Sequence, residues 1–185
     1  MRRHFTRALS PVLPLALLLG CPTTDPGDDP IAIESLFPKN NEVGSWVEDT
    51  TKGQAGVQVA SNYTEAWQAV DGDAESFEQG MVAFGWEFYT NTTHTLELRV
   101  WQLKDAATCT SVYDSLVVDD PLYTSNTWTD VSSLGAAGRV ADTGTQWWHN
   151  SRKAAYHIET KTMANDATGQ DEAEKIINAV LAKIP

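Results

Sequence analysis

Cysteine is scarce in this sequence. The chain of 185 residues has two, Cys21 and Cys109. A small domain built around disulfides needs several pairs, and a zinc site built on thiolates needs more ligands of this kind. Both classes of protein are therefore excluded, and the fold must be held together by the burial of apolar side chains.

Basic residues are also few. Lys and Arg total 13 against 25 Asp and Glu, a formal net charge of −12. Arg2, Arg3 and Arg7 precede Cys21, so the chain from residue 21 onward carries ten basic and 25 acidic residues, a formal charge of −15. Such a surface repels phosphate backbones and anionic headgroups. We expect no nucleic-acid partner and no membrane attachment through a basic patch.

The apolar segment at residues 8–19 is too short to span a membrane, since a spanning helix needs about 20 apolar residues. Pro11 and Pro14 interrupt it, and the basic residues 1–7 precede it. This order is typical of a signal peptide. Residues 1–20 are therefore predicted to be an export signal.

Motifs that carry common enzyme chemistry are missing. The histidines after the signal are His94, His149 and His157, and no two have metal-binding helical spacing. A Gly-x-Ser-x-Gly nucleophile motif and a phosphate-binding glycine loop are also missing. We expect no cofactor, and the sequence favours a protein without catalytic activity.

The end of the signal carries a more specific pattern. Leu18-Leu19-Gly20-Cys21 resembles the lipobox of bacterial lipoproteins. The resemblance implies that the chain is cut before Cys21 and that this cysteine carries lipid in the cell envelope. Pro22 stands where an Asp favours retention in the inner membrane, which favours the outer membrane here. The alternative is an ordinary secretory signal followed by a chance cysteine.

The residues after Cys21 predict a tether and one domain. Residues 22–30 hold three prolines and three acids and little apolar surface, so residues 21–30 are predicted to be an extended linker. Residues 31–185 contain no internal repeat, and we predict one α+β domain there.

Hydrophobic periodicity predicts three helices in this domain. They cover residues 170–184, about 63–70 and about 105–116. Residues 81–89 and 96–101 alternate with a period of two across a polar turn, which predicts a β-hairpin. Weaker strands are predicted near residues 56–60, 134–141, 146–149 and 154–160. Short polar connections favour a mostly antiparallel sheet with the helices packed on it.

Short motifs along the chain resemble a family of exported bacterial proteins classed as a domain of unknown function. They are Leu36-Phe37-Pro38, Gly44-Ser45-Trp46, Val70-Asp71-Gly72-Asp73-Ala74-Glu75, Gly80, Asp105-Ala106-Ala107, Trp147 and Tyr156-His157-Ile158. The sequence departs from the family pattern at Asp73, where a second glycine is usual, and at Met81. The resemblance implies export and this fold, and it implies no activity.

Three acids form a candidate cation site. Asp71, Asp73 and Glu75 lie within five residues at a predicted helix break, and carboxylate oxygens are ligands of Ca²⁺. The spacing lacks the pattern of an EF-hand loop. The alternative is an acidic helix end in which Gly72 adopts a positive φ.

Aromatic residues offer a candidate binding surface. Trp67 and Trp86 fall on predicted core faces, whereas Trp147 and Trp148 are adjacent on a predicted strand and therefore point to opposite sides. If one side of the sheet is wet, one indole, next to His149, is exposed for a sugar or a partner. The alternative is that helices or loops cover both sides.

Two further groups have structural interpretations. Cys109 falls on the inner side of a predicted helix and is expected to fill the core. His157 and Glu159 point to the same side of a strand and are expected to pair on a polar face.

These observations favour a lipid-anchored envelope domain that binds a partner protein or a glycan. The alternative is an envelope enzyme or metal-binding domain that uses Asp71, Asp73 and Glu75 with a distant histidine. A third hypothesis is a structural component of an envelope assembly.

Overall fold

The computed structural model describes residues 31–53, 55–70, 75–164 and 166–185. The predicted signal, Cys21 and the predicted tether lie outside these residues, and so do Asp71 and Asp73. Residues 31–185 form one compact unit. Within the described ranges, no helix is both long and apolar enough to cross a membrane.

The described residues form an eight-stranded sheet in which every strand pair is antiparallel. The strands are β1 (Val47–Glu48), β2 (Gln58–Ala60), β3 (Met81–Thr90), β4 (Thr95–Leu103), β5 (Trp128–Asp130), β6 (Ala137–Asp142), β7 (Trp147–Lys153) and β8 (Tyr156–Thr162). Their order is β1-β3-β4-β8-β7-β6-β5, and β2 also pairs with β3. The prediction of an α+β domain with a mostly antiparallel sheet is confirmed.

The helices are α1 (Tyr63–Ala69), α2 (Ala106–Asp119), α3 (Pro121–Thr124) and α4 (Ala167–Lys183). Two 3-10 helices cover Ile33–Leu36 and Glu75–Gln79. The short α3 was not predicted, because a single turn leaves no periodic pattern to detect. The C-terminal helix begins three residues earlier than predicted, since Asp166 accepts a hydrogen bond from Gly169 N at 2.7 Å and caps it.

One side of the sheet, the α4 face, packs on α4. Leu96, Leu98 and Val100 of β4 point to this side and are fully buried. Helix α4 contributes the apolar stripe that its periodicity predicted: Ala173, Ile176, Ile177, Val180, Leu181 and Ile184. Each fully buried aliphatic side chain stabilises the fold by about 1.5–3 kcal/mol, so this stripe fixes α4 on the sheet.

The other side, the α2 face, packs on α1, α2, α3 and the second 3-10 helix. Its core is aromatic: Phe77 stacks on Trp101 with ring centroids 4.1 Å apart, and Phe84 contacts the same indole. Residues of β3 and β4 therefore alternate between two apolar environments. The sheet has helices on both sides, so the alternative that both faces are covered is the one observed.

Candidate functional site

The candidate surface at β7 is divided between the two faces. Trp147 and His149 point to the α4 face and Trp148 points to the α2 face, as the alternation of a strand requires. Trp147 Nε1 donates to the Asp166 carbonyl at 2.8 Å, and Trp148 Nε1 donates to Gln146 Oε1 at 2.7 Å. Both indoles are half-buried, and each is fixed by its N–H group.

Trp148 has a cation on its ring. Lys161 Nζ lies 4.7 Å from the ring centroid, and the Tyr123 ring meets it edge-on at 6.2 Å. Cation–π contacts of this kind orient an indole as well as stabilise it. The Trp148 ring is therefore fixed in position and partly accessible at the margin of the α2 face.

His149 is not part of an exposed surface. It is 1% exposed, and neither ring nitrogen has a hydrogen-bond partner among the described residues. Glu174 Oε1 lies 4.0 Å from His149 Nε2, beyond hydrogen-bond distance. Burial lowers the pKa of His149 to about 4, so the ring is neutral at pH 7.

His157 and Glu159 share the α2 face, as predicted, but this face is buried and not wet. The two residues are 0% and 2% exposed, and His157 Nε2 lies 3.5 Å from Glu159 Oε1. Glu159 also accepts from Trp101 Nε1 at 3.1 Å and from the Tyr123 hydroxyl. Burial alone would raise the pKa of Glu159, but the hydrogen bond and charge of His157 outweigh it, and the pKa is lowered.

Next to the His157–Glu159 pair lie two sets of charged groups that were not predicted. Arg99 and Glu97, on β4, form an ion pair with Nε and Oε1 2.7 Å apart, and both are under 8% exposed. Arg139 donates to the Tyr113 carbonyl at 2.7 Å and lies over the Tyr113 ring at 3.9 Å. Alternating polar residues suggested a solvated side, whereas this side is buried and its charged groups contact one another and the Tyr113 ring.

The candidate cation site is described at Glu75 alone, because Asp71 and Asp73 lie outside the described residues. Glu75 begins the 3-10 helix Glu75–Gln79 and is exposed. Within the described ranges, no group of three or more His, Cys, Asp or Glu side chains is arranged to hold a metal ion. A site that needs all three acids therefore stays a prediction.

Glu75 does line a cleft. With Tyr63, Thr64, Trp67 and Glu78 it borders a volume of about 380 Å³, which we call the α1 cleft. Trp67 is 46% exposed there, so the prediction that it belongs to the core is wrong. Ala66, one position earlier and fully buried, carries the packing of α1 instead. A seven-residue helix is too short for its periodicity to decide between neighbouring positions.

A second cleft lies at the edge of the sheet, beside β1 and β2. Its volume is about 390 Å³, and we call it the edge cleft. The lining residues are Glu48, Asp49, Lys52, Gly53, Gly56, Gln58, Ala69, Trp86, Glu87 and Phe88. Trp86 and Phe88 are half-buried, and Phe84 lies nearly parallel to the Trp86 ring with centroids 5.6 Å apart. The cleft combines aromatic walls with polar groups.

Glu87 is a buried carboxyl at the inner side of the edge cleft. The Tyr89 hydroxyl lies 2.6 Å from Glu87 Oε2 and 2.8 Å from the Pro38 carbonyl, but it has one hydrogen to donate. Both contacts are satisfied when Tyr89 donates to Pro38 and a protonated Glu87 donates to Tyr89. Burial raises the pKa of Glu87 by more than the hydrogen bond with Tyr89 lowers it, and the charge of Glu48 raises it further.

The remaining titratable candidates, His94 and Cys109, are both buried in the fold. His94 Nε2 lies 3.2 Å from Asp166 Oδ2, and His94 Nδ1 lies 2.7 Å from the Thr93 hydroxyl. Cys109 is a buried free thiol, and burial raises its pKa to about 11. The prediction that Cys109 fills the core is confirmed, and such a thiol is inert at neutral pH.

Comparison with known proteins gives a weak structural similarity. No protein-family model and no curated protein matches the sequence. The fold is similar to the extracellular domain of PknH from Mycobacterium tuberculosis, with 12% identity and a TM-score of 0.43, over 85% of this chain and 98% of that chain. A similarity of this size supports no conclusion about function.

Proposed function

We propose that this protein is a lipid-anchored binding domain of the bacterial cell envelope. Lipid on Cys21 holds it at the membrane, and residues 21–30 act as the tether. The support for the anchor is the lipobox-like sequence, and Pro22 favours the outer membrane. Because the formal charge from residue 21 onward is −15, attachment depends on acyl chains and not on anionic headgroups.

The ligand proposed for this domain is a cell-surface saccharide, bound in the edge cleft. The observation that carries this proposal is an aromatic cleft of about 390 Å³, within the range typical of small-ligand sites. A sugar ring presents C–H groups to an aromatic ring and hydroxyl groups to amide and ammonium groups. Trp86 and Phe88 supply the first kind of contact, and the Gln58 amide and the Lys52 ammonium group supply the second.

The positions of the three histidines favour a binding role over catalysis. His149 and His157 are buried in the core, and His94 is engaged with Asp166. None of the three is among the residues that line the edge cleft or the α1 cleft. Proton transfer to a ligand in either cleft would therefore have to use groups other than histidine.

Two experiments test the two parts of the proposal. Cys21→Ala should move the protein from the membrane fraction to the soluble fraction and abolish fatty-acid labelling; membrane retention with no change would contradict the anchor. For the ligand, calorimetry with fragments of envelope glycans should show binding that Lys52→Ala and Gln58→Ala weaken. Asp119→Asn, an exposed acid on α2, is the matched control. Capture of proteins alone, with no saccharide binding, would contradict the ligand assignment.

A further inference from the structure

The α1 cleft has a composition that differs from the edge cleft. Its described lining is two aromatic side chains, two carboxylates and one hydroxyl: Tyr63, Trp67, Glu75, Glu78 and Thr64. No basic side chain is among them. The volume of about 380 Å³ is that of a site for a small organic molecule.

Trp67 lies outside the core cluster that joins α1 to the sheet. Ala66 of α1 and Phe77 of the neighbouring 3-10 helix are both fully buried and join these elements to the sheet. Trp67 is 46% exposed, and within the described ranges it is the one aromatic side chain among the exposed large hydrophobic residues. Tryptophan is enriched at binding interfaces, because its ring is apolar and its N–H group is polar. The indole is therefore available to a ligand.

The chemistry of the cleft selects a cation. The face of an indole ring carries negative electrostatic potential and attracts ammonium groups. Glu75 and Glu78, both exposed at the same cleft, add formal negative charge. The excess of acids over the whole chain raises the local concentration of cations further.

An organic cation fits better than a metal ion. Ca²⁺ requires six to eight oxygen ligands at short distance. The described lining offers two carboxylates and the Thr64 hydroxyl around a space far larger than a bare ion, and two of its five residues are aromatic. An alkylammonium group uses both features, since its methylene groups contact the indole and its N–H groups donate to carboxylates.

We propose that the α1 cleft binds a small alkyl amine, a diamine or polyamine, in its ammonium form. Trp67 and Tyr63 contact the alkyl chain and the cation, and Glu75 and Glu78 accept hydrogen bonds from ammonium groups. This site is separate from the edge cleft, so it does not depend on the proposed saccharide ligand.

Calorimetry on the purified full-length protein in detergent tests the proposal, with cadaverine as the probe at constant ionic strength. Saturable binding of cadaverine is expected, with weaker binding of tetramethylammonium, which has no N–H group. Trp67→Ala should weaken cadaverine binding about two- to fivefold, the size of an exposed cation–π contact. Glu75→Gln and Glu78→Gln should each weaken it roughly threefold.

Two control variants keep the test specific. Leu122→Ala truncates another exposed apolar side chain, and Asp119→Asn removes another exposed acid, so neither should change cadaverine binding. Absence of saturable binding would overturn the proposal. Equal binding of tetramethylammonium, equal losses in the control variants, or saturable binding of Ca²⁺ in place of cadaverine would also overturn it.

Discussion

The buried histidine of β7 makes the fold sensitive to acid, and the size of this effect follows from its surroundings. His149 is neutral in the folded protein, with a pKa of about 4 against an ordinary value of 6.5. Its contribution to stability is full above pH 6.5 and is lost as the pH falls to about 4, because the unfolded chain binds the proton first. The two pKa values correspond to a loss of about 3 kcal/mol in the free energy of unfolding.

The substitution His149→Leu isolates this effect, since leucine has a similar volume and no titratable group. At pH 7 the free energy of unfolding of the variant should exceed that of the parent protein by about 1–3 kcal/mol, because two buried ring nitrogens that have no partner among the described residues are removed. At pH 4 its advantage should grow by about 3 kcal/mol more. Urea unfolding at pH 7, 5.5 and 4 measures the difference at each pH.

His94→Leu is the matched control. His94 is also buried, but it is hydrogen-bonded to Asp166 and Thr93, so its removal should destabilise the protein already at pH 7. Stability curves for His149→Leu and the parent protein that run parallel from pH 7 to 4 would refute the reasoning. An NMR titration that places the His149 pKa near 6.5 would refute it as well.

Three further predictions concern stability, each read by urea unfolding. The substitution Glu87→Gln keeps a hydrogen-bond donor to Tyr89 at every pH. In the parent protein, the contribution of Glu87 to stability is full below its ordinary pKa of 4.5. It is lost as the pH rises through the raised pKa of the folded protein. The variant should therefore gain on the parent protein as the pH rises above 4.5, and a constant difference would contradict the protonated carboxyl. Glu159→Gln should cost about 3–5 kcal/mol, since it unbalances a buried ionic network, and a loss below 1 kcal/mol would contradict that network. Gly138→Ala should cost about 1–3 kcal/mol, because an added Cβ would lie 2.3 Å from Leu134 Cβ, and an unchanged midpoint would contradict this packing.

Local periodicity predicted much of the fold. The β3–β4 hairpin and α4 follow from apolar spacing within one segment, and both are observed close to the predicted bounds. The pairing of β4 with β8 could not be predicted from the sequence, because it joins residues about 60 positions apart in the chain through contacts that leave no local pattern. Strand order in antiparallel sheets is set by such non-local packing.

The site residues show the same limit. Alternation correctly placed Trp147 and Trp148 on opposite sides of β7, and His157 with Glu159 on one side. Alternation along a strand does not show that α2 covers the second side of the sheet. The buried pair His157 and Glu159 was therefore interpreted as part of a solvated face. Trp67 was assigned to the core for the related reason that one short helix does not reveal which neighbouring position faces inward.

The most direct test of the proposed function is an NMR titration of the indole N–H signals with an envelope saccharide. The seven tryptophans give separate probes, and Trp86 lies in the edge cleft while Trp67 lies in the α1 cleft. The account predicts that a saccharide shifts the Trp86 signal saturably and leaves the Trp67 signal in place. Saccharide binding that shifts other indoles and not Trp86, or no shift at saturating saccharide, would contradict it.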